Sequence, residues 1–467
     1  MNNSKAIKSG VWYTAANFLM RSIGIITTPI FTRILTHEEF GLYSNFTSWL
    51  SVLTIIITLN LESTFISARY DFEDEFDKYI LSVLSLSTIT SLSSIVILNV
   101  LYDALSIYLG MSRVYLNCML MYIMFLPAIN LFQARERYYF EYKISVLISL
   151  IISLGTAIVS VLLVINMEDG LQGRIIGSIS PTIIIGIVLY IIIIKKGKKI
   201  DTAYWSYAFK ICIPFIPHLL SMTVLNSLDR IMITNICGAE DNAMYSLAYS
   251  CGHVISILLV SMNTAFSPWL GQKLHEKEYA EINKVSQKYI TLFMIISLGI
   301  MIFSPEILII MGGESYYDAV YVMPPVAFGC ICQFLYTLFV NVEQFCRKTV
   351  GMAFASVSAA ALNYILNMLF IPRFGYIAAA YTTLVGFLWL LIIHMLLVKL
   401  YGYSQVYSYK YVGVMVVLAF IVTIGVNLLY SYTIVRYLVG FTYVIFAIFI
   451  TNKVVNIKQI IINIIKG

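Results

Sequence analysis

Charged and hydrogen-bonding side chains set inside long apolar runs are the residues of this chain with chemistry to offer. Arg21 interrupts the first such run, and Asn17, Arg21, Gly24 and Thr28 recur at helical spacing along one face. A guanidinium is a planar fork that takes a carboxylate or a phosphate through two hydrogen bonds. Arg21 could therefore bind an anionic ligand in a low-dielectric cavity, or pair structurally with an acid such as Glu62. The second run carries Thr47, Ser51, Thr54, Thr58 and Glu62 on one helical face, with Arg69 two turns further on. Glu62 and Arg69 fall near its end, where they could form a gate or simply reach the interface. Another run places His218, Ser221, Asn226 and Asp229 within about 140° of arc, with Arg230 at its edge. Asp229 and Arg230 are adjacent and point about 100° apart, so each needs its own partner. Tyr249 and His253 lie one turn apart, and Gln333, Thr337, Asn341 and Gln344 share a later run. The histidines could relay protons, since imidazole titrates near neutrality; satisfied packing is the plainer reading. Tyr249 could stack on a ligand face. Pro29, Pro214 and Pro217 would kink the runs holding Arg21 and His218, as hinges or as static bends.

Little in the pattern points to making or breaking bonds. The seven cysteines all lie in or beside apolar stretches, where a thiol is ordinarily a small buried hydrophobe. Cys330 and Cys332 would point about 200° apart on a helix, so they make no metal pair. There is no Gly-rich phosphate loop, metal-ligand cluster or nucleophile triad. No catalytic residue and no metal ligand is expected, and a membrane polymerase or ligase fits poorly.

The elements that must position these residues follow from composition. Of 467 residues 60% are hydrophobic and 12% charged, half the charge of a soluble domain. Apolar runs separated by charged or Gly/Pro-rich breaks number fourteen, the first near 11–35 and the last near 433–451. The N-terminus does not read as a cleavable signal, because Arg21 interrupts its apolar run and no small-residue cleavage site follows. The expected fold is an all-α polytopic membrane protein of about fourteen transmembrane helices. Of the thirty Lys and Arg, 23 fall on one side of the membrane and five on the other. That bias places both termini in the cytoplasm. The outer side then sums to −5 and the cytoplasmic side to +12. Past the last span, Asn452, Lys453, Asn456, Gln459, Asn463 and Lys466 recur every three or four residues, the pattern of an amphipathic helix over 452–467 lying on the bilayer surface.

The chain also repeats itself at an offset of 202. Thr32–Ser44 aligns with Thr234–Ser246, with Thr, Ile, Glu, Tyr and Ser in register. Six helices separate the copies, so both halves run in the same sense and should be related by a pseudo-two-fold axis along the membrane normal. The expected organisation is a six-helix lobe over 1–203, a second over 204–401, two further helices over 402–451 and the surface helix. Helices 1, 2, 7 and 8 would wall a cavity between the lobes, with helix 10 adding to it.

Two stretches carry a resemblance to a known family. Asp229-Arg-Ile-Met-Ile-Thr followed by Glu240-Asp-Asn-Ala-Met-Tyr-Ser-Leu-Ala-Tyr249 is similar to the helix 7–8 pattern of the polysaccharide transporters of the multidrug/oligosaccharidyl-lipid/polysaccharide superfamily, which include O-antigen and capsule-unit flippases. Ile34-Leu-Thr-His-Glu-Glu-Phe-Gly-Leu-Tyr-Ser44 resembles its helix 1–2 counterpart. The likeness runs through helix 12, and the last two helices look like an addition found in some members. It implies transfer of undecaprenyl-diphosphate-linked oligosaccharides to the outer leaflet by alternating access, through a cationic cavity. It implies no cofactor, with a proton or a sodium ion as the coupling ion. The implied partners are the lipid bilayer, the lipid-linked glycan, a polysaccharide polymerase and a chain-length regulator; no nucleic acid is involved, and the chain would act as a monomer. Peptidoglycan-precursor flippases and cation-coupled multidrug exporters belong to the same superfamily. The exporters would need an acid deep in the first helix, where this chain has Arg21 and no carboxylate.

Overall fold

A computed structural model describes residues 19–20, 22–139 and 141–455. All regular structure among them is helical. Among the described residues thirteen helices are long and apolar enough to cross a membrane, and the shorter apolar helix Ser22–Ile34 (α1) stands at the first of the fourteen apolar runs. The chain is a polytopic all-α membrane protein. It forms two compact units, divided between Ala243 and Met244.

The first unit contains α1, α2 (His37–Thr58), a 3₁₀ turn at Leu61–Thr64, α3 (Phe65–Asp71), α4 (Phe76–Val100), α5 (Tyr102–Leu109), α6 (Arg113–Tyr138), α7 (Tyr142–Asn166), α8 (Gly170–Gly197), α9 (Ala203–Ile236) and the first turn of α10 (Ala239–His253). A capping box starts α2: Thr36 Oγ1 accepts the Glu39 N–H at 3.2 Å while Glu39 Oε2 accepts the Thr36 N–H at 2.8 Å. Leu59 and Asn60 end the helix, with φ of 55° and 49° in the left-handed region. The sequence predicts one continuous face from Thr47 to Arg69. These two residues break it, because a left-handed pair redirects the chain, so Glu62 lies in the 3₁₀ turn and Arg69 in the separate helix α3. Helix α9 runs unbroken for 34 residues through Pro214 and Pro217 and packs along α2 and its 3₁₀ turn. The packing division at 243/244 thus groups α9 with the helices it touches, whereas the sequence division at 203/204 follows the repeat.

The second unit contains the rest of α10, α11 (Ser256–Glu276), α12 (Tyr279–Ile302), α13 (Ser304–Gly312), a 3₁₀ stretch at Glu314–Val322, α14 (Met323–Phe345), α15 (Thr349–Phe374), α16 (Tyr376–Leu400), α17 (Tyr409–Leu429) and α18 (Thr433–Val455). Residues 456–467, most of the expected surface helix, lie outside the described residues. Helix α14 is the most enclosed candidate span, surrounded by α11, α12, α16 and α17. The two last helices are fastened to this unit by specific polar contacts. Tyr430 donates to the Met301 carbonyl at 2.6 Å, and Arg436 forks onto both Glu306 oxygens at 2.5 and 2.6 Å. Arg436 is buried, so replacing it leaves a half-buried carboxylate without its cation. Arg436→Met is expected to cost about 3 kcal/mol of stability, read as an earlier thermal unfolding transition of the purified protein than in wild type.

Candidate functional site

In the first unit the polar residues gather where α2 ends. Thr58 is buried in its last turn, with its Oγ1 3.4 Å from the Asn60 N–H. Glu62 Oε1 accepts from Asn130 Nδ2 of α6 at 3.2 Å. The thiol of Cys212 on α9 packs beside Ser63 at 3.7 Å, so this turn is wedged between α6 and α9. Arg69 donates to the Tyr138 carbonyl, and its guanidinium carbon lies 4.9 Å from the Tyr139 ring centre. Glu62 and Arg69 are thus each tied to α6, and the two form no ion pair with each other among the described residues. Asn17 and Arg21 lie outside the described residues.

Helix α9 carries the other polar face of this unit. His218 is half-buried and Asp229 fully buried. Asn226 Nδ2 donates to the Met222 carbonyl at 2.7 Å, and Arg230 Nη1 to the Asn226 carbonyl at 3.1 Å. These local bonds keep both side chains close along α9. Pro217 leaves its carbonyl to the Ser221 hydroxyl at 2.7 Å, and in α1 the Pro29 carbonyl accepts from Arg33 at 2.8 Å. Pro29, Pro214 and Pro217 each bring no backbone donor to their helix.

The structure brings out a further cation, one of the five counted on the outer side of the membrane. Arg174, one turn into α8, lies between two aromatic rings, its guanidinium carbon 3.5 Å from the centre of Phe31 on α1 and 4.5 Å from that of Tyr43 on α2. Arg113, Arg135 and Arg436 each pair with a carboxylate, whereas Arg174 has no carboxylate partner among the described residues. Stacking holds the guanidinium plane while leaving its edge, which carries the donors, for an anion. Only contacts between segments more than 130 residues apart reveal this, so nothing local in the sequence marks it.

The same unit also brings parts of the repeat together. Asn242, in the first turn of α10, is fully buried and donates to the Gly41 carbonyl of α2 at 2.8 Å. A Cβ added at Gly41 would fall 1.8 Å from the Ala239 carbonyl oxygen. No side chain fits there.

In the second unit, Tyr249 is buried and lies between Tyr245 and His253, with ring centres 5.6 and 5.3 Å away. Tyr249 and His253 line a small crevice with Pro325, Gly329, Thr383 and Phe387. Helix α10 ends at His253 and α11 begins at Ser256, so Tyr249 and His253 occupy the last turns of their helix. Asn341 donates to Asn263 Oδ1 at 2.7 Å, joining α14 to α11, and the half-buried Gln333 accepts the Thr337 hydroxyl on its carbonyl at 2.7 Å. Exposure separates these positions in a way labelling can read. In a cysteine-free background, Ser51→Cys, on an exposed position, is expected to react readily with a membrane-impermeant maleimide. Thr58→Cys, at a buried position, should react far more slowly; equal rates would refute the exposure pattern along α2.

Comparison with known proteins places these observations. The model of the family described as polysaccharide biosynthesis protein matches residues 6–274, and that described as MatE matches residues 214–369. An Lsg locus protein of Haemophilus influenzae is 20% identical over 327 residues, covering 68% of this chain and 79% of its own. A Haloferax volcanii protein described as a probable low-salt glycan biosynthesis flippase is 27% identical over 147 residues, 31% of each chain. Among solved structures, the lipid II flippase MurJ in an inward closed conformation superposes with a TM-score of 0.72 at 14% identity, over 95% of this chain and all of its own. An inward-facing multidrug resistance transporter of the MATE family superposes with a TM-score of 0.66 at 12% identity, over 82% of this chain and 95% of its own. At such identities the structures speak for the fold alone.

Proposed function

The chain belongs to the polysaccharide biosynthesis protein family of the multidrug/oligosaccharidyl-lipid/polysaccharide flippase superfamily, and from that membership we propose that it carries undecaprenyl-diphosphate-linked oligosaccharide repeat units from the cytoplasmic to the outer leaflet of the inner membrane. The observation that carries this reading is the family match over residues 6–274, which takes in every candidate cation of the first unit. A lipid diphosphate brings dense negative charge into a region where water is scarce, and guanidinium groups suit it through bidentate hydrogen bonds. Arg21 and Arg174 are the proposed phosphate contacts, with Asn17, Asn226 and Arg230 supporting them. Glu62 and Arg69 regulate access where α2 breaks, and α1 and α9 bend at Pro29, Pro214 and Pro217. Thr58, His218 and Asp229 add polar groups within the first unit, and Tyr249, His253, Gln333 and Asn341 within the second. The carrier moves its cargo without altering a covalent bond, with both termini in the cytoplasm.

The test is deletion of the gene in its own host, followed by extraction of lipid-linked saccharides. Loss of surface polysaccharide, accumulation of the lipid-linked repeat unit and restoration of both by a plasmid copy are expected. A strain that keeps its surface glycan and accumulates peptidoglycan precursor instead would replace this reading with that of a precursor flippase.

A further inference from the structure

The second unit holds a buried acid–base pair that none of the roles above uses. Glu343, near the end of α14, is 0% exposed, and its Oε1 lies 2.7 Å from Nδ1 of His394 on α16, itself 3% exposed. The other carboxylate oxygen, Oε2, is buried and has no hydrogen-bond partner among the described residues. A packing role alone would call for both oxygens to be satisfied, since an unpaired buried oxygen is costly.

Among the described residues no lysine or arginine pairs with Glu343. On α14 itself, Tyr336 lies nearly parallel to the His394 ring, 5.5 Å away at 21°, and Cys346 stands just past the helix end, three residues beyond Glu343. Past the end of α16 stands Tyr401, whose ring carries the Lys348 ammonium 6.0 Å from its centre. Before α17, Tyr407 donates to the Leu338 carbonyl at 3.0 Å and closes that side. The other elements packed on α14 (α11, α12, α15, α17 and the 3₁₀ stretch) bring no lysine or arginine nitrogen within 4.0 Å of Glu343; His394 is its one ion-pair partner among the described residues.

Charge counting then restricts the protonation states. With one proton on the bond between them and no more, the pair carries a net charge of −1 in a water-poor interior, which is expensive. One further proton makes it neutral, either as carboxylate with imidazolium or as carboxylic acid with imidazole. The unfilled Oε2 is where a carboxyl hydrogen can sit, and the two groups come from different helices, so sliding α14 against α16 would part them and hand that proton to water.

We infer that Glu343 and His394 form a proton-binding site in the second unit that couples proton movement to transport. The coupling half of this inference rests on the flippase reading; the proton-binding half does not. The test therefore has two arms on the full-length protein. In detergent, infrared difference spectra between acid and alkaline buffers, spanning about pH 4 to 8 where free carboxyl and imidazole titrate, should show a titrating buried carboxyl band. That band should be lost in Glu343→Gln, which keeps the shape and can still bond the imidazole, and its midpoint should be displaced in His394→Gln. Wild-type and Glu343→Gln spectra that superpose would overturn the site whatever the cargo is. In vesicles holding a lipid-linked oligosaccharide, an imposed proton gradient should quicken wild-type translocation several-fold and leave Glu343→Gln unaffected. An equal gradient response in both would overturn the coupling. Absence of translocation by wild type under any gradient would overturn both the coupling and the flippase reading, while the infrared result would stand.

Discussion

Cells whose only copy carries Gly41→Leu are expected to make no surface polysaccharide while holding normal amounts of the protein. The prediction rests on backbone meeting backbone. A Cβ at Gly41 would lie 1.8 Å from the Ala239 carbonyl oxygen and 2.7 Å from its carbonyl carbon. Helix backbone cannot rotate aside as a side chain can, so α2 and the first turn of α10 would have to separate by roughly 1.5–2 Å to reach ordinary contact. Separation also stretches the 2.8 Å bond from Asn242 to the Gly41 carbonyl, and Asn242 is fully buried. A carrier that works by alternating access must reach each of its end states in turn. A wedge that forbids one packed arrangement stops the cycle without unfolding helices that are otherwise held along their length. Gly41→Ala should lie between wild type and Leu. Surface polymer is quantified beside an immunoblot of the membrane fraction. Wild-type polymer from Gly41→Leu would show that transport does not need this contact, and loss of the protein along with the polymer would reduce it to a packing role.

The second large effect concerns the arginines. Arg174→Ala and Arg21→Ala are each expected to lower polymer export by about 10-fold to 100-fold, the equivalent of losing one charge-assisted bidentate contact of about 1.5–3 kcal/mol. The lysine variants separate charge from geometry. Lysine keeps the cation but lacks the planar fork and stacks less well on Phe31 and Tyr43, so Arg174→Lys should recover only part of the loss. Full recovery by lysine would mean that the site senses charge alone; wild-type export from Arg174→Ala would remove this residue from the phosphate path. Thermal unfolding of the purified variants provides the control, because a guanidinium without a carboxylate partner contributes little to stability through ion pairing. Unfolding far below wild type would mark Arg174 as a support for the α1–α2–α8 packing.

The two arginines also differ in how far a local pattern reveals them. Arg21 stands out in the sequence because it breaks an apolar run, which is a local signal. Arg174 lies at the mouth of a run, where charges are ordinary, and only Phe31 and Tyr43, more than 130 residues upstream, make it distinctive. The same contrast governs α2. Its polar face at Thr47, Ser51, Thr54 and Thr58 is plain from spacing, yet the left-handed Leu59 and Asn60 that end it carry no glycine or proline to announce them. Packing of the following turn against Asn130 and Cys212 imposes that conformation, and packing is not written in a window of twenty residues.

Membrane class and the succession of apolar segments were determined by the sequence alone, because each depends on hydropathy over short stretches. Tertiary structure decided which polar groups meet. Glu343 and His394 stand 51 residues apart on two helices with no spacing that links them, and Gly41 meets Ala239 only once α2 and α10 are laid side by side. Transfer from water to lipid selects segments one at a time, while pairing inside the bundle depends on the rotation and depth of every helix together.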